Sequence, residues 1–163
     1  MNEKAYFSEQ IRLYEQNIYG LALSILKNEH DAADVMQDAI LKAYSCLHTL
    51  RDRHKFKSWI LSIVHKTAIE HLRRQMPMID IDELYDLAAP EPTVDPETRH
   101  TVRAAIEQLS LAHREVIVLY YYENYSTGQI AEILDLPPAT VRQQLYRARK
   151  ALSKHLNKED FDR

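Results

Sequence analysis

The residues that most often carry enzymatic chemistry are present in this chain, but they are not arranged to perform it. Eight histidines (His30, His48, His54, His65, His71, His100, His113 and His155) include no pair four apart. The single cysteine, Cys46, has no partner for a Cys-x-x-Cys pair or an internal disulfide, so no metal-ligand set is expected. Gly20 and Gly128 are the only glycines, and neither a phosphate-cradling loop nor a nucleophile elbow can be traced. No catalytic residue, metal or cofactor is therefore expected. Recognition chemistry remains. Arg142–Lys154 holds five basic residues and no acid. Within it Val141, Leu145, Ala148 and Leu152 recur at helical spacing, marking a buried stripe. Arg142, Gln143, Tyr146, Arg147, Arg149 and Lys150 are left on the open faces, with Thr140 at the start.

Positioning these side chains requires a helix held against another. Ile130, Ala131 and Leu134 share one face of a preceding short helix, which Ser126 or Thr127 can cap. Asp135-Leu136-Pro137 ends it, because proline disfavours a helical residue before it and lacks an amide donor. Pro138 suits the first turn of the next helix, where an N–H would be unpaired anyway. A short helix, a tight turn and a second helix bearing Arg and Gln match a helix-turn-helix, whose second helix enters the major groove of DNA.

Charge agrees once it is divided along the chain. The net charge is −3. Residues 1–75 carry a net +2, residues 76–99 a net −6, and residues 100–163 a net +1. A second cationic cluster, Arg51–Lys57, has four basic residues and one acid. Local potential matters more than net charge for a groove-sized contact. The N-terminus lacks the basic start and apolar run of a signal peptide, and no apolar stretch approaches membrane-spanning length. A cytoplasmic protein that is not inserted in a membrane is expected.

The pattern predicts an all-α protein of two small helical domains. In residues 5–27, Phe7, Ile11, Tyr14, Ile18, Leu21 and Ile25 step by four and three. Asn28 fits the N-cap of a second helix, whose polar stripe is Asp31, Asp34, Gln37, Asp38 and Lys42. Leu50–Lys55 reads as a basic loop. A third helix runs from about Phe56 to Gln75, completing a domain over residues 1–75. Residues 76–99 hold four of the six prolines and seven acids, which predicts a mostly extended linker; Ile79, Ile81, Leu84, Tyr85 and Leu87 could still dock on a surface. The second domain, a helix-turn-helix bundle over residues 100–163, starts near His100, and the tail after Leu156 is expected to fray. These residues leave three readings open: a subunit of a larger DNA-binding machine, a free-standing regulator binding an operator, or an adaptor with a degenerate helix-turn-helix.

Two separated stretches, in order, resemble one family. The first is Asp31-Ala-Ala-Asp-Val-Met-Gln-Asp-Ala-Ile-Leu-Lys-Ala-Tyr44, with Phe56-Lys-Ser-Trp-Ile-Leu-Ser-Ile63 and Leu72-Arg-Arg74. The second is Leu109 through Tyr125, with Gln129-Ile-Ala-Glu-Ile-Leu134, Thr140-Val-Arg142 and Arg147-Ala-Arg149. The chain resembles the sigma-70 family of bacterial transcription initiation factors, of the small extracytoplasmic-function type.

That resemblance implies a non-catalytic promoter-specificity subunit whose partners are core RNA polymerase, promoter DNA and an anti-sigma factor, with no small-molecule substrate. It implies core-polymerase contact by Asp31, Asp34, Gln37 and Asp38 on the second helix. It implies minus-ten binding by Arg51, Arg53, His54, Lys55, Phe56 and Lys57, with Lys66, Arg73 and Arg74 as phosphate contacts. Phe56 and His54 would stack on unpaired bases, while Trp59 matches a core position. Minus-thirty-five recognition falls to Thr140, Arg142, Gln143, Tyr146 and Arg147, where Arg can bridge guanine and Gln can pair with adenine. Arg149 and Lys150 are left for phosphate or solvent. The sequence departs from the family pattern at Asp135, where glycine is usual, at Ala139, at Gln143-Gln144, where Ser-Arg is common, at Lys66 and at Glu70.

Overall fold

The computed structural model describes residues 2–87 and 102–155, with only the backbone of residue 155. The expectations for residues 88–101 and for the tail after residue 155 lie outside the described residues. The chain divides into two compact units, Met1–Pro77 with Glu132–Asp135 and Met78–Ala131 with Leu136–Arg163. All regular structure among the described residues is helical.

The first unit is a bundle of three mutually packed helices, α1 (Glu3–Leu26), α2 (Glu29–Ser45) and α3 (Phe56–Gln75). Capping sets the entry to α1 and α2. Asn2 accepts from the Ala5 amide, and Asn28 accepts from the Asp31 amide at 2.9 Å. Between α1 and α2 the chain reverses through Lys27 in the left-handed conformation, φ 56°. The core is Ile18, Leu21 and Ile25 of α1, Ala32, Val35, Ala39 and Ala43 of α2, and Ile60, Leu61, Val64 and Ala68 of α3. Small residues on α2 let its neighbours approach closely. Two 3₁₀ turns, Leu47–Thr49 and Arg53–Lys55, fill the connection to α3, and Asp52 caps the second by accepting from the His54 amide.

The second unit begins inside the stretch expected to be extended. Ile81–Asp86 forms α4, capped by Asp80, which accepts from the Ile81 amide at 2.7 Å. Leu84 is 2% exposed, and α4 packs against α6. This corrects the reading of residues 81–86: burial of one leucine and a local cap outweigh an acidic, proline-rich composition. After α4 the chain continues with α5 (Val102–Glu107), α6 (Leu111–Ile117), α7 (Thr127–Leu134) and α8 (Pro138–His155). α6 runs on as a π-helical turn, Val118–Tyr122, in which the Glu123 amide reaches back five residues to the Val118 carbonyl. The buried residues Ala105, Leu109, Val116, Ile117 and Leu119, with Val141, Leu145 and Ala148 of α8, form its core. Arg114 is buried among them and donates from Nη1 to the Leu109 carbonyl at 2.7 Å. Burial pulls its guanidinium down from the ordinary arginine value, opposed by Glu115 and Glu107. No helix among the described residues is long and apolar enough to cross a membrane.

Candidate nucleic-acid and protein interfaces

On α2, burial of Ala32, Val35, Ala39 and Ala43 turns Asp34, Gln37 and Asp38 outward, and all three are exposed. Asp34 lies 3.5 Å from His30 one turn earlier, an exposed pair worth little. Asp31 behaves differently from the others. Its side chain is 23% exposed; Oδ1 lies 3.6 Å from His71 and Oδ2 accepts from Gln75 at 3.3 Å, both on α3. It therefore ties α2 to α3 while its neighbours face solvent. Lys42 makes a second tie, 2.9 Å from Glu70.

The basic stretch before α3 is presented by its 3₁₀ turn. Arg51, Arg53, His54 and Lys55 are exposed and Lys57 is half-buried. The Arg53 guanidinium lies 4.3 Å from the centre of the Tyr6 ring, a cation–π contact that fixes its position on α1. Burial pushes the Tyr6 phenol up from its usual value, with the Arg53 charge opposing. Lys66, Arg73 and Arg74 on α3 are exposed, and Arg74 Nε lies at the limit of hydrogen bonding, 3.5 Å, from the Glu70 carbonyl.

Phe56 does not fit the expected role of stacking on a base. It is 1% exposed and sits in an aromatic cluster with Tyr6, Phe7, Tyr14 and Trp59, at centroid distances of 6.0, 6.0, 6.2 and 5.6 Å. As the first residue of α3 it is turned inward by the same helical phase that buries Ile60. Its ring is core, and the apolar mass that closes the unit behind the basic turn.

In the second unit, the helix-turn-helix pair is held by local chemistry that the sequence announces. Ser126 and Gln129 form a reciprocal capping box: the Gln129 amide donates to Ser126 Oγ at 3.2 Å, and the Ser126 amide donates to Gln129 Oε1 at 2.9 Å. Asp135 takes the left-handed conformation, φ 55°, and the next amide, of Leu136, reaches the Ala131 carbonyl at 3.0 Å. Pro138 is the first residue of α8. With Val141, Leu145 and Ala148 buried, Arg142, Gln143, Tyr146 and Arg147 are exposed and Thr140 is half-buried. Tyr146 is 62% exposed, with Lys150 Nζ 5.6 Å from its ring centre. α8 thus offers a cationic and amide face backed by a rigid apolar stripe.

Two features here were not legible as chemistry. His113 of α6 is held below its ordinary value, chiefly by burial and then by the Arg147 charge, with Asp86 of α4 opposing. Arg149 is raised above its ordinary value, first by its hydrogen bond to Tyr121. Both depend on contacts across the unit, which no spacing along the chain reveals.

Comparison with known proteins follows the same division. Residues 10–77 match the family model of Sigma-70 region 2, and residues 99–152 match that of Sigma-70, region 4. The chain is 33% identical over 158 residues to the RNA polymerase sigma factor SigV of Bacillus subtilis, covering 97% of this chain and 95% of that protein. It is 30% identical over 165 residues to the ECF RNA polymerase sigma factor SigW of the same organism, covering 92% and 88%. Among solved structures, the sigma factor RpoE bound to the anti-sigma factor NepR from Bartonella quintana shares the fold with a TM-score of 0.71 at 21% identity, over 91% of this chain and 95% of that one. CnrH in complex with the cytosolic domain of CnrY does so at 0.65 and 24%, over 94% and 88%.

Proposed function

The chain belongs to the extracytoplasmic-function type of the sigma-70 family, a non-catalytic subunit that directs RNA polymerase to promoters, and we propose that its two units divide that task. In this reading the first unit docks on core polymerase through Asp34, Gln37 and Asp38, and meets the minus-ten element with Arg51, Arg53, His54, Lys55 and Lys57. Lys66, Arg73 and Arg74 supply phosphate contacts alongside them. The second unit reads the minus-thirty-five duplex with Thr140, Arg142, Gln143, Tyr146 and Arg147, and Lys150 adds positive charge. Asp31 serves the same docking from behind, by fixing α2 on α3.

The observation that carries the reading is the contrast on α2. Asp34, Gln37 and Asp38 face solvent on a helix whose Asp31 is tied back to α3. A solvated face needs no such brace, whereas a docking face gains from one, because a fixed helix loses less entropy on binding. Acidic and amide groups set the orientation of a polar interface and suit a basic partner surface. For the DNA faces, opening a duplex costs a few kcal/mol per unstacked base. The exposed cations around the 3₁₀ turn can offset part of that through the backbone. Of the two solved structures named above, one holds the anti-sigma factor NepR and the other the cytosolic domain of CnrY. An anti-sigma factor covering the α2 face of this chain is accordingly part of the proposal.

Co-elution with bacterial core polymerase tests the docking. The expected result is a complex that weakens at least tenfold (about 1.4 kcal/mol) for Asp34→Arg, with promoter opening seen only in the complex. Tight, sequence-specific binding by the chain alone, with no affinity for a matched core, would favour a free-standing regulator and overturn the proposal.

A further inference from the structure

Arg149 looks, along the sequence, like one more cation on an exposed helix face. Its surroundings set it apart. Nε donates to Tyr121 Oη at 2.8 Å, although the two residues are 28 positions apart. The guanidinium also lies 5.1 Å from the centre of the Tyr120 ring and 5.6 Å from that of Tyr121. The two rings meet edge to face, 4.9 Å apart at 74°. Tyr120 and Tyr121 belong to the π-helical turn, whose widened backbone places consecutive rings around one guanidinium.

Arginine has five N–H donors, and the Tyr121 hydroxyl takes the one on Nε. The Tyr120 hydroxyl is a second hydrogen-bonding partner of the guanidinium, whose remaining Nη donors lie on a side chain that is exposed. An exposed arginine ordinarily pays side-chain entropy, up to about 2 kcal/mol, to hold one geometry. Here two aromatic faces and a hydrogen bond have already fixed it. The arrangement suits a single oxyanion approached by a two-pronged donor, which in DNA is a backbone phosphate.

We propose that Tyr121 is a positioning residue for promoter binding: by holding Arg149 through Nε, its hydroxyl presents the guanidinium to one phosphate of the duplex that α8 enters. This rests on the reading of the α8 face as the duplex-binding surface. It adds to that reading a residue outside the helix-turn-helix, on the turn that follows α6. Because a phosphate carries no sequence information, Tyr121 contributes affinity and register, and the choice of bases is left to Arg142, Gln143 and their neighbours.

The test is equilibrium binding of holoenzyme, assembled from the full chain and core polymerase, to a duplex enriched from a random-sequence pool by wild-type holoenzyme, measured over a range of salt. Tyr121→Phe keeps the ring and removes the hydroxyl; it is expected to weaken binding roughly three- to tenfold, as loss of one hydrogen bond does. Arg149→Ala is expected to weaken binding and to lower the slope of log affinity against log salt by about one, as loss of one phosphate contact does. Tyr121→Phe added to Arg149→Ala should then cost nothing further, and Arg149→Lys should keep the wild-type slope while losing affinity. A melting temperature and core affinity unchanged in Tyr121→Phe would exclude a merely structural role. Wild-type binding by Tyr121→Phe, or an equal loss in both Arg149 backgrounds, would overturn the proposal. If Arg142→Ala also leaves binding untouched, the duplex-binding reading of α8 falls with it; if Arg142→Ala weakens binding, only the Tyr121 assignment falls.

Discussion

His113 shows how a single side chain registers the packing around it. Its neutral form is favoured by burial between α6 and its neighbours and by Arg147, with Asp86 opposing. The unfolded chain therefore binds the proton more readily, and stability rises with pH between the depressed folded value and the ordinary value near 6.5. The stability that neutral His113 confers is present above that window and lost as pH falls through it. His113→Gln should flatten this part of the curve, measured as melting temperature against pH. Phe56 leads to a different expectation. Placed beside four cations, it reads in the sequence as a base-stacking ring, since its partners on α1 are far away along the chain. The aromatic cluster decides for the core. Phe56→Ala should cost about 3–5 kcal/mol in urea unfolding, the range for a buried ring, and reduce promoter opening only through loss of fold.

At the scale of elements, what the sequence made legible is what local chemistry controls. α3 has the expected ends at Phe56 and Gln75, Asn28 caps α2, and Pro138 opens α8. Each follows from a cap, a proline or a period that neighbouring residues contain. α4 was missed because six residues carry barely one apolar repeat, and only the seat of Leu84 on α6 makes them a helix. The π turn was missed because Val118–Tyr122 is apolar or aromatic at every position and so has no phase to read. The candidate site divides in the same way: the open face of α8 follows from its period, whereas the ties of Asp31 to α3 and of Arg149 to Tyr121 are tertiary. Two changes probe the helix-turn-helix. Ser126→Ala removes one arm of the capping box and should cost about 1 kcal/mol in denaturant unfolding. Asp135→Gly should be tolerated at φ 55°, while Asp135→Val should lose about 1–2 kcal/mol, the penalty of a left-handed branched residue.

For the whole chain, the first unit draws its packing chiefly from α1, α2 and α3, which contact one another within residues 1–77. A fragment ending at Pro77 should therefore melt cooperatively with a helical circular-dichroism spectrum, though with the modest stability of so small a core. The charge is also partitioned: net −6 over residues 76–99 lies between segments of net +2 and +1. Neither unit is basic enough to bind duplex strongly alone, so tethering two modest contacts on one chain gives the second the benefit of effective concentration. Separating the units should thus lower promoter affinity of the holoenzyme far more than any single cation substitution, a comparison that filter binding can make.

The turn at Val118–Tyr122 carries one residue more than an α-helical ladder would hold, and everything after it inherits that offset. Deleting Tyr122 would let the Glu123 position close a regular turn, and would rotate the chain that follows by about 100°. Chain length is therefore not a free variable here, as it is in a surface loop. A one-residue deletion in the tyrosine run would swing α8 off α6 and take Arg149 out of reach of its ring.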